Sequence, residues 1–382
     1  MTVALEVLRR RSSTRVAILE KEDEPGRHAS GRNSGVLHCG IYYGSETLKA
    51  KACSRGAGRM IAYAKSEGIA LAQRGKVILA TKEEQLPTIE RLLRNAVDNG
   101  ILAERIDRKR LHELEPHAFP GPAAIHCPTT AVIDSSAVLR RLRAQLEDRG
   151  ATFLFRCHVK GPGTSGELDT SHGAFHYGML FNCAGAYADV IAKSFGLAGD
   201  YALVPFKGIY WKLGESAKHL VNANLYPAPD VGLPFLDVHL TRGISGDVVA
   251  GPTAIPALGR ENYGVLQGMK LGESLAVGLQ LARTYLANQG DFRRLTHVEL
   301  GKYRKGAFLD AVRRLVPAIR GEDLVASPKV GIRPQLVNTR THRLEMDYIL
   351  ARAENSLHVL NAISPAFTSA FAFAEMIVDQ AP

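Results

Sequence analysis

The segment Ala29-Ser30-Gly31-Arg32-Asn33-Ser34-Gly35-Val36-Leu37-His38-Cys39-Gly40-Ile41-Tyr42-Tyr43 holds three glycines, two serines and an asparagine. Glycine tolerates positive φ and lets a ring approach the backbone, and successive N–H groups can form a concavity for an anion. The segment therefore suits an anionic, planar ligand; by composition it is equally an ordinary mobile surface loop. Metal chemistry has no comparable signal. The five cysteines, Cys39, Cys53, Cys127, Cys157 and Cys183, form no CxxC pair and no ligand spacing. Their odd number argues against a disulfide framework and for a reducing compartment. No Ser-His-Asp nucleophile constellation stands out.

The elements ahead of this loop say what it sits in. Val3, Ala4, Leu5, Val7 and Leu8 recur at helical spacing, 9–14 is a polar break, and Val16-Ala17-Ile18-Leu19 reads as a strand buried on both faces that ends in Glu20. Helix, turn, strand and terminal acid form the second half of a dinucleotide-binding βαβ unit. The acid binds the ribose about 20 residues after a Gly-x-Gly-x-x-Gly turn. That count places the first strand and its glycines at or before Met1.

Further on, the spacing predicts helices over 48–68, 82–99, 135–149, 266–288, 306–315 and 368–379. Strands are expected over 75–81, 152–159, 177–183 and 357–361, with an irregular stretch over 111–122. From 201 to 251 short β-like runs alternate with Pro and Gly, as in an antiparallel sheet. The expected layout is a discontinuous nucleotide domain (1–75, 131–200, 325–382) with a substrate domain inserted over 76–130 and 201–324.

Composition narrows the partners. The 382 residues carry 48 Lys+Arg against 38 Asp+Glu, a net charge of +10, which attracts anionic small molecules or a membrane surface. The basic residues are scattered without interleaved aromatics, so nucleic acid is not an expected partner. No apolar run is long enough to span a bilayer, and the N-terminus lacks the features of a secretory signal. The expected location is cytoplasmic, peripheral to the inner face of a membrane at most.

The run from Ser30 to Tyr43, then Leu48-Lys49-Ala50-Lys51, resembles the L-2-hydroxyglutarate dehydrogenases and oxidases of the FAD-dependent D-amino-acid-oxidase-like superfamily. Agreement continues through Gly75-Lys76, Asn182-Cys183-Ala184-Gly185, Pro205-Phe206-Lys207-Gly208, Val238-His239-Leu240-Thr241-Arg242, Ala250-Gly251-Pro252, Gly331-Ile332-Arg333-Pro334-Gln335-Leu336 and Asn361-Ala362-Ile363-Ser364-Pro365-Ala366. The resemblance implies an α/β fold, a Rossmann-like FAD-binding domain lacking its first strand, with an inserted antiparallel-sheet substrate domain.

It further implies that Glu20 holds the adenosine ribose and that Val159 meets adenine through its backbone. Gly31, Asn33, Ser34 and Gly35 would lie beside pyrophosphate and flavin, Ala184 and Gly185 against the nucleotide, and Ser364, Pro365, Ala366, Phe367 and Thr368 facing the flavin. Oxidising a 2-hydroxy acid requires accepting the hydroxyl proton, moving a hydride from C2 to the flavin and clamping the carboxylates. His38 and His239 are the candidate bases and Arg333 a carboxylate clamp, with Arg242 and Lys207 candidates for a second carboxylate and Tyr42, Tyr43 and Tyr210 further donors. Electrons would leave to a membrane quinone or to oxygen. Phe367 departs from the resemblance as a large residue close to the expected ring position. Two alternatives accompany this reading: a related flavoenzyme acting on an amino acid or glycerol 3-phosphate, and an inactive remnant without FAD.

Overall fold

The computed structural model describes residues 1–164, 166–230 and 233–381. Helix Thr2–Arg10 turns Val3 toward Phe373 and Ile377 of helix Ala366–Asp379, and Leu8 toward Leu146. Strand Ala17–Leu19 runs parallel to Thr152–Leu154. A second parallel pair joins Leu180–Asn182 to Ser356–Leu360, which is also antiparallel to Ile349–Ala353. Ala17 is exposed and Ile18 and Leu19 only half-buried, so the strand expected to be buried on both faces is not. Its apolar cover comes from the side of Leu8 and Leu146. Helices Leu48–Ser66 and Ala366–Asp379 approach closely because Gly56 has no side chain; a Cβ there would lie 2.6 Å from Ser369 Cα.

The largest sheet orders its strands Ile255–Pro256, Tyr201–Leu213, Val248–Gly251, His239–Arg242, Asn224–Pro227, Lys76–Ala80, Ala123–Cys127 and Glu104–Ile106, with Leu324–Asn338 paired along Tyr201–Leu213. Only Lys76–Ala80 against Asn224–Pro227 is parallel. Side chains alternate between the two faces. One face carries Val77, Leu79, Leu225, Leu240, Val248 and Ala250 onto Phe308 and Val312 of helix Lys305–Arg313. The other carries Ile78 and Tyr226 against Ile41 and against Ile89, Leu92 and Ala96 of helix Leu86–Asp98.

Three elements depart from expectation. Residues 111–122 were expected to be irregular, but Asp107 caps a helix, Arg108–Leu114, by accepting from Arg110 N. The helix expected from 266 begins at Leu271. Leu324–Asn338 is a 15-residue strand although Pro328, Gly331 and Pro334 interrupt its pattern, because it pairs with Tyr201–Leu213 over most of that strand's length. No helix of the described residues is long and apolar enough to cross a membrane.

Candidate active site

On the second face of the large sheet, register places polar side chains side by side. Asn224 pairs with Thr241 on one side and Lys76 on the other. One step along, Tyr226 and His239 stack with ring centroids 3.9 Å apart. All five are buried. His239 Nδ1 lies 3.0 Å from the Asp237 carbonyl; assigning the proton to Nδ1 makes it the donor and leaves Nε2 an acceptor. Burial, with a smaller contribution from the Lys76 ammonium, lowers the His239 pKa to about 4, so the ring is neutral at pH 7. Lys76 Nζ sits 4.6 Å from the Tyr42 ring centroid and 5.4 Å from that of Tyr226. Among the described residues, Lys76 Nζ, Asn224 Oδ1, Thr241 Oγ1 and the hydroxyls of Tyr42 and Tyr226 have no hydrogen-bond partner. Native interiors rarely leave such groups unsatisfied, and here five of them occur on neighbouring residues.

The glycine-bearing loop brings His38 to this face. Asn33 shapes the loop: its amide donates to Ser30 O at 2.6 Å and its Oδ1 accepts from Gly35 N at 2.8 Å. Ser34 Oγ accepts from Val36 N. Gly35 has φ +75°, and a Cβ there would meet Ile133 O at 2.6 Å. Gly31 closes the same turn, its N–H donating to His28 O. His38 is held through its backbone, its N–H donating to Thr368 Oγ1 at 3.2 Å and its carbonyl accepting from Cys53 Sγ. Burial first, then the charges of Lys76 and His239, lower its pKa to about 3. Burial pushes the Tyr42 and Tyr43 hydroxyls above their ordinary value.

Arg333 also lies near Tyr43. Its guanidinium lies 4.6 Å from the Phe235 ring centroid, and Nε donates to Gln335 Oε1 at 3.1 Å. No carboxylate of the described residues lies within salt-bridge distance, and burial lowers its pKa to about 10. Lys49 is also buried, between the rings of Tyr43 and Tyr348; burial and then Arg333 lower its pKa to about 6. Gln335 and Asn361 fix this side. Asn361 Oδ1 accepts from Leu336 N, and its amide donates to the carbonyls of Glu345 and Asp347. Sequence reasoning quoted the motifs holding Lys49, Lys76, Gln335 and Asn361 but gave these residues no role. A lysine inside an otherwise apolar strand, as in Lys76-Val77-Ile78-Leu79-Ala80, was the available signal.

Two expected clamps lie elsewhere. Arg242 is on the face opposite His239, since strand residues alternate, and its guanidinium donates to the carbonyls of Lys218 and Val221 at 2.9 and 2.8 Å. Lys207 pairs with Ile332 while Arg333 pairs with Phe206, so those two side chains also occupy opposite faces. Lys207 Nζ donates to Asn262 Oδ1 at 3.2 Å and to the Gly264 carbonyl. Tyr210 is buried on the His239 side, where Gly251 has room for no side chain against it.

A separate crevice follows the ends of the parallel strands. Ala29, Ser30, Cys183, Ala184, Gly185 and Ser364 are exposed there. Glu20, half-buried, accepts from Glu22 N, and the Met1 amine at the start of helix Thr2–Arg10 lies close enough to feel the charges of Cys183 and Glu20. Cys157 N donates to Glu20 O, which brings the segment leading to Val159 beside the acid. Pro365, Ala366 and Thr368 begin helix Ala366–Asp379, and Thr368 Oγ1 donates to Val36 O. Phe367 packs with the cluster of Leu37, Met60 and Ile133. An anion and a planar ring can be held between these small residues, a carboxylate and two helix N-termini. Among the described residues, the one cluster with metal-ligand geometry, Glu22, His28 and Glu261, is already bridged by Lys21 Nζ.

Comparison with known proteins identifies the family and the fold. Residues 1–380 match the family described as FAD dependent oxidoreductase. The chain is 35% identical to an L-2-hydroxyglutarate dehydrogenase of Indibacter alkaliphilus, covering 100% of this chain and 96% of the relative. It is 31% identical to the mitochondrial L-2-hydroxyglutarate dehydrogenase of Homo sapiens, over 99% of this chain and 85% of the relative. Among solved structures, the dithionite-reduced L-alpha-glycerophosphate oxidase of Mycoplasma pneumoniae with FAD bound superposes with a TM-score of 0.77 at 19% identity, over 99% of this chain and 90% of that one, a likeness of fold. The cofactor is FAD, and the exposed small residues along the crevice, with Glu20 at its end, fit it. The chain belongs to the FAD dependent oxidoreductases, in the branch that holds the L-2-hydroxyglutarate dehydrogenases.

Proposed function

We propose that this enzyme oxidises L-2-hydroxyglutarate to 2-oxoglutarate. The carrying observation is the half-buried guanidinium of Arg333, with no carboxylate of the described residues within salt-bridge distance, in a chain that also holds two neutral histidines beside Lys76. When bound, FAD would supply the hydride acceptor for C2. Arg333 pairs bidentately with the carboxylate next to C2, and Gln335 fixes the guanidinium plane. His239 takes the hydroxyl proton at Nε2, because its Nδ1–H is committed to the Asp237 carbonyl. His38, anchored through its backbone N–H and carbonyl and close to Lys76 and His239, would help to orient the substrate. In the crevice Glu20 would hold the ribose and Val159 the adenine. Gly31, Gly35, Ala184 and Gly185 would lie along the pyrophosphate, with the turn from Ser364 to Thr368 beside the ring.

Electrons leave to a quinone or to oxygen. One observation favours a membrane surface for that step: Leu271, Leu275, Leu279 and Leu286 are 80%, 67%, 54% and 71% exposed on one helix, with Lys270 and Arg283 beside them to meet anionic lipid.

The test compares flavin-loaded wild type, His38→Asn and His239→Asn with an artificial electron acceptor. L-2-hydroxyglutarate should be oxidised far faster than L-lactate, glycerol 3-phosphate or D-amino acids. His239→Asn should lower kcat by about 10²–10⁴-fold with KM little changed, while His38→Asn loses less kcat. Equal rates on L-lactate would refute the dicarboxylate reading; near-normal kcat in both variants would refute the base.

A further inference from the structure

Arg242 and Lys207, the residues expected to read a second carboxylate, are turned to the opposite faces of their strands and engaged by protein carbonyl and amide groups. A dicarboxylate held by Arg333 at one end still needs a partner at the other. We propose that Lys76 is the specificity-determining residue of this enzyme, its ammonium pairing with the distal carboxylate of the substrate. This rests on the dicarboxylate reading above.

Four observations converge on it. Lys76 is 0% exposed, and its Nζ has no hydrogen-bond partner and no carboxylate of the described residues within salt-bridge distance. A buried, unpaired ammonium is expensive to keep, which demands a reason for it. The groups around the charge form a set of donors that a carboxylate satisfies: the hydroxyls of Tyr42, Tyr226 and Thr241 are also buried and unpartnered. Strand register puts Lys76 one strand from Tyr226, whose ring stacks on His239, so the ammonium lies on the same face as the proposed base. Tyr43 lies close enough to feel the charge of both Lys76 and Arg333, so both cations lie near the same tyrosine. The other groups facing Lys76 are Cys39, Cys127, His38 and His239. Of these, only an ionised Cys39 could serve as a competing counter-charge, and it is included in the test.

The experiment uses flavin-loaded wild type, Lys76→Met, Lys76→Gln and Cys39→Ser. KM and kcat are measured for L-2-hydroxyglutarate and for L-2-hydroxypentanoate, which keeps the reacting end and lacks the distal carboxylate. In both Lys76 variants KM for L-2-hydroxyglutarate should rise by about 100-fold or more, with the preference over L-2-hydroxypentanoate collapsing by a similar factor. A second readout is the melting temperature with glutarate added. Glutarate should raise it in wild type and Cys39→Ser but not in Lys76→Met. Without ligand, Lys76→Met should melt no lower than wild type, because a chain of similar shape replaces an unpaired charge.

Retained preference for the dicarboxylate in folded, yellow Lys76→Gln overturns the proposal. Glutarate stabilisation that appears in Cys39→Ser but is missing from wild type also overturns it, since Lys76 would then be held by the thiolate. Wild type with no activity on L-2-hydroxyglutarate and a normal flavin spectrum would refute the functional reading itself, a result distinct from either.

Discussion

Acidification tests the state of His239 directly. In the unfolded chain a histidine takes a proton below about pH 6.5; in the folded enzyme burial keeps this one neutral down to about pH 4. Its contribution to stability is therefore complete above about pH 6.5 and is lost as pH falls to about 4, because only the unfolded state gains the proton. The gap of about 2.5 pKa units at about 1.4 kcal/mol each corresponds to about 3 kcal/mol. Urea unfolding followed by far-UV circular dichroism, at about pH 7 and about pH 4, should show wild type losing about 3 kcal/mol more than His239→Asn over that interval. The variant comparison removes the shared contributions of His38 and the surface carboxylates. Identical pH dependence in the two proteins would show that His239 is not held neutral. The assignment of its Nε2 as a proton acceptor at low pH would then fail. The same neutrality predicts that kcat/KM stays level through weakly acidic pH and declines only toward about 4.

Arg333→Lys keeps a cation but loses the planar fork held by Gln335; steady-state kinetics should show KM raised and kcat lowered together, by about 10-fold or more each. Arg242→Met should leave KM within about twofold of wild type yet lower unfolding stability by about 1–3 kcal/mol, since the carbonyls of Lys218 and Val221 lose their donor; a large KM effect would contradict its placement on the far face. Gly56→Val should cost about 1–3 kcal/mol in thermal or urea unfolding, because its side chain would collide with the backbone at Ser369.

Local periodicity marked helices at Thr2–Arg10, Leu48–Ser66 and Ser135–Asp148, whose inward positions recur every three or four residues. The acid ending the first strand and the crowded glycines of 31–40 are local signals, and they made that end of the chain the expected nucleotide side. Residue type made His38, His239 and Arg333 candidates, and the structure puts all three around Tyr43 and the Lys76 face.

Which side of a sheet each side chain serves depends on strand pairing, a long-range property. His239 and Arg242 are three residues apart and Lys207 lies in a quoted motif, yet a period of two sends Arg242 and Lys207 away from the residues they were expected to join. Lys76 carried the opposite lesson. In the chain it is one lysine among many basic residues; its chemistry comes from parallel pairing with Asn224, 148 positions away, and from Tyr42 folding across it. The 15-residue strand Leu324–Asn338 was invisible for the same reason, since it is held by its long pairing with Tyr201–Leu213 and not by its own local pattern, which two prolines and a glycine interrupt. Side-chain type is local, but burial and the absence of a counter-charge are properties of what the rest of the chain brings near.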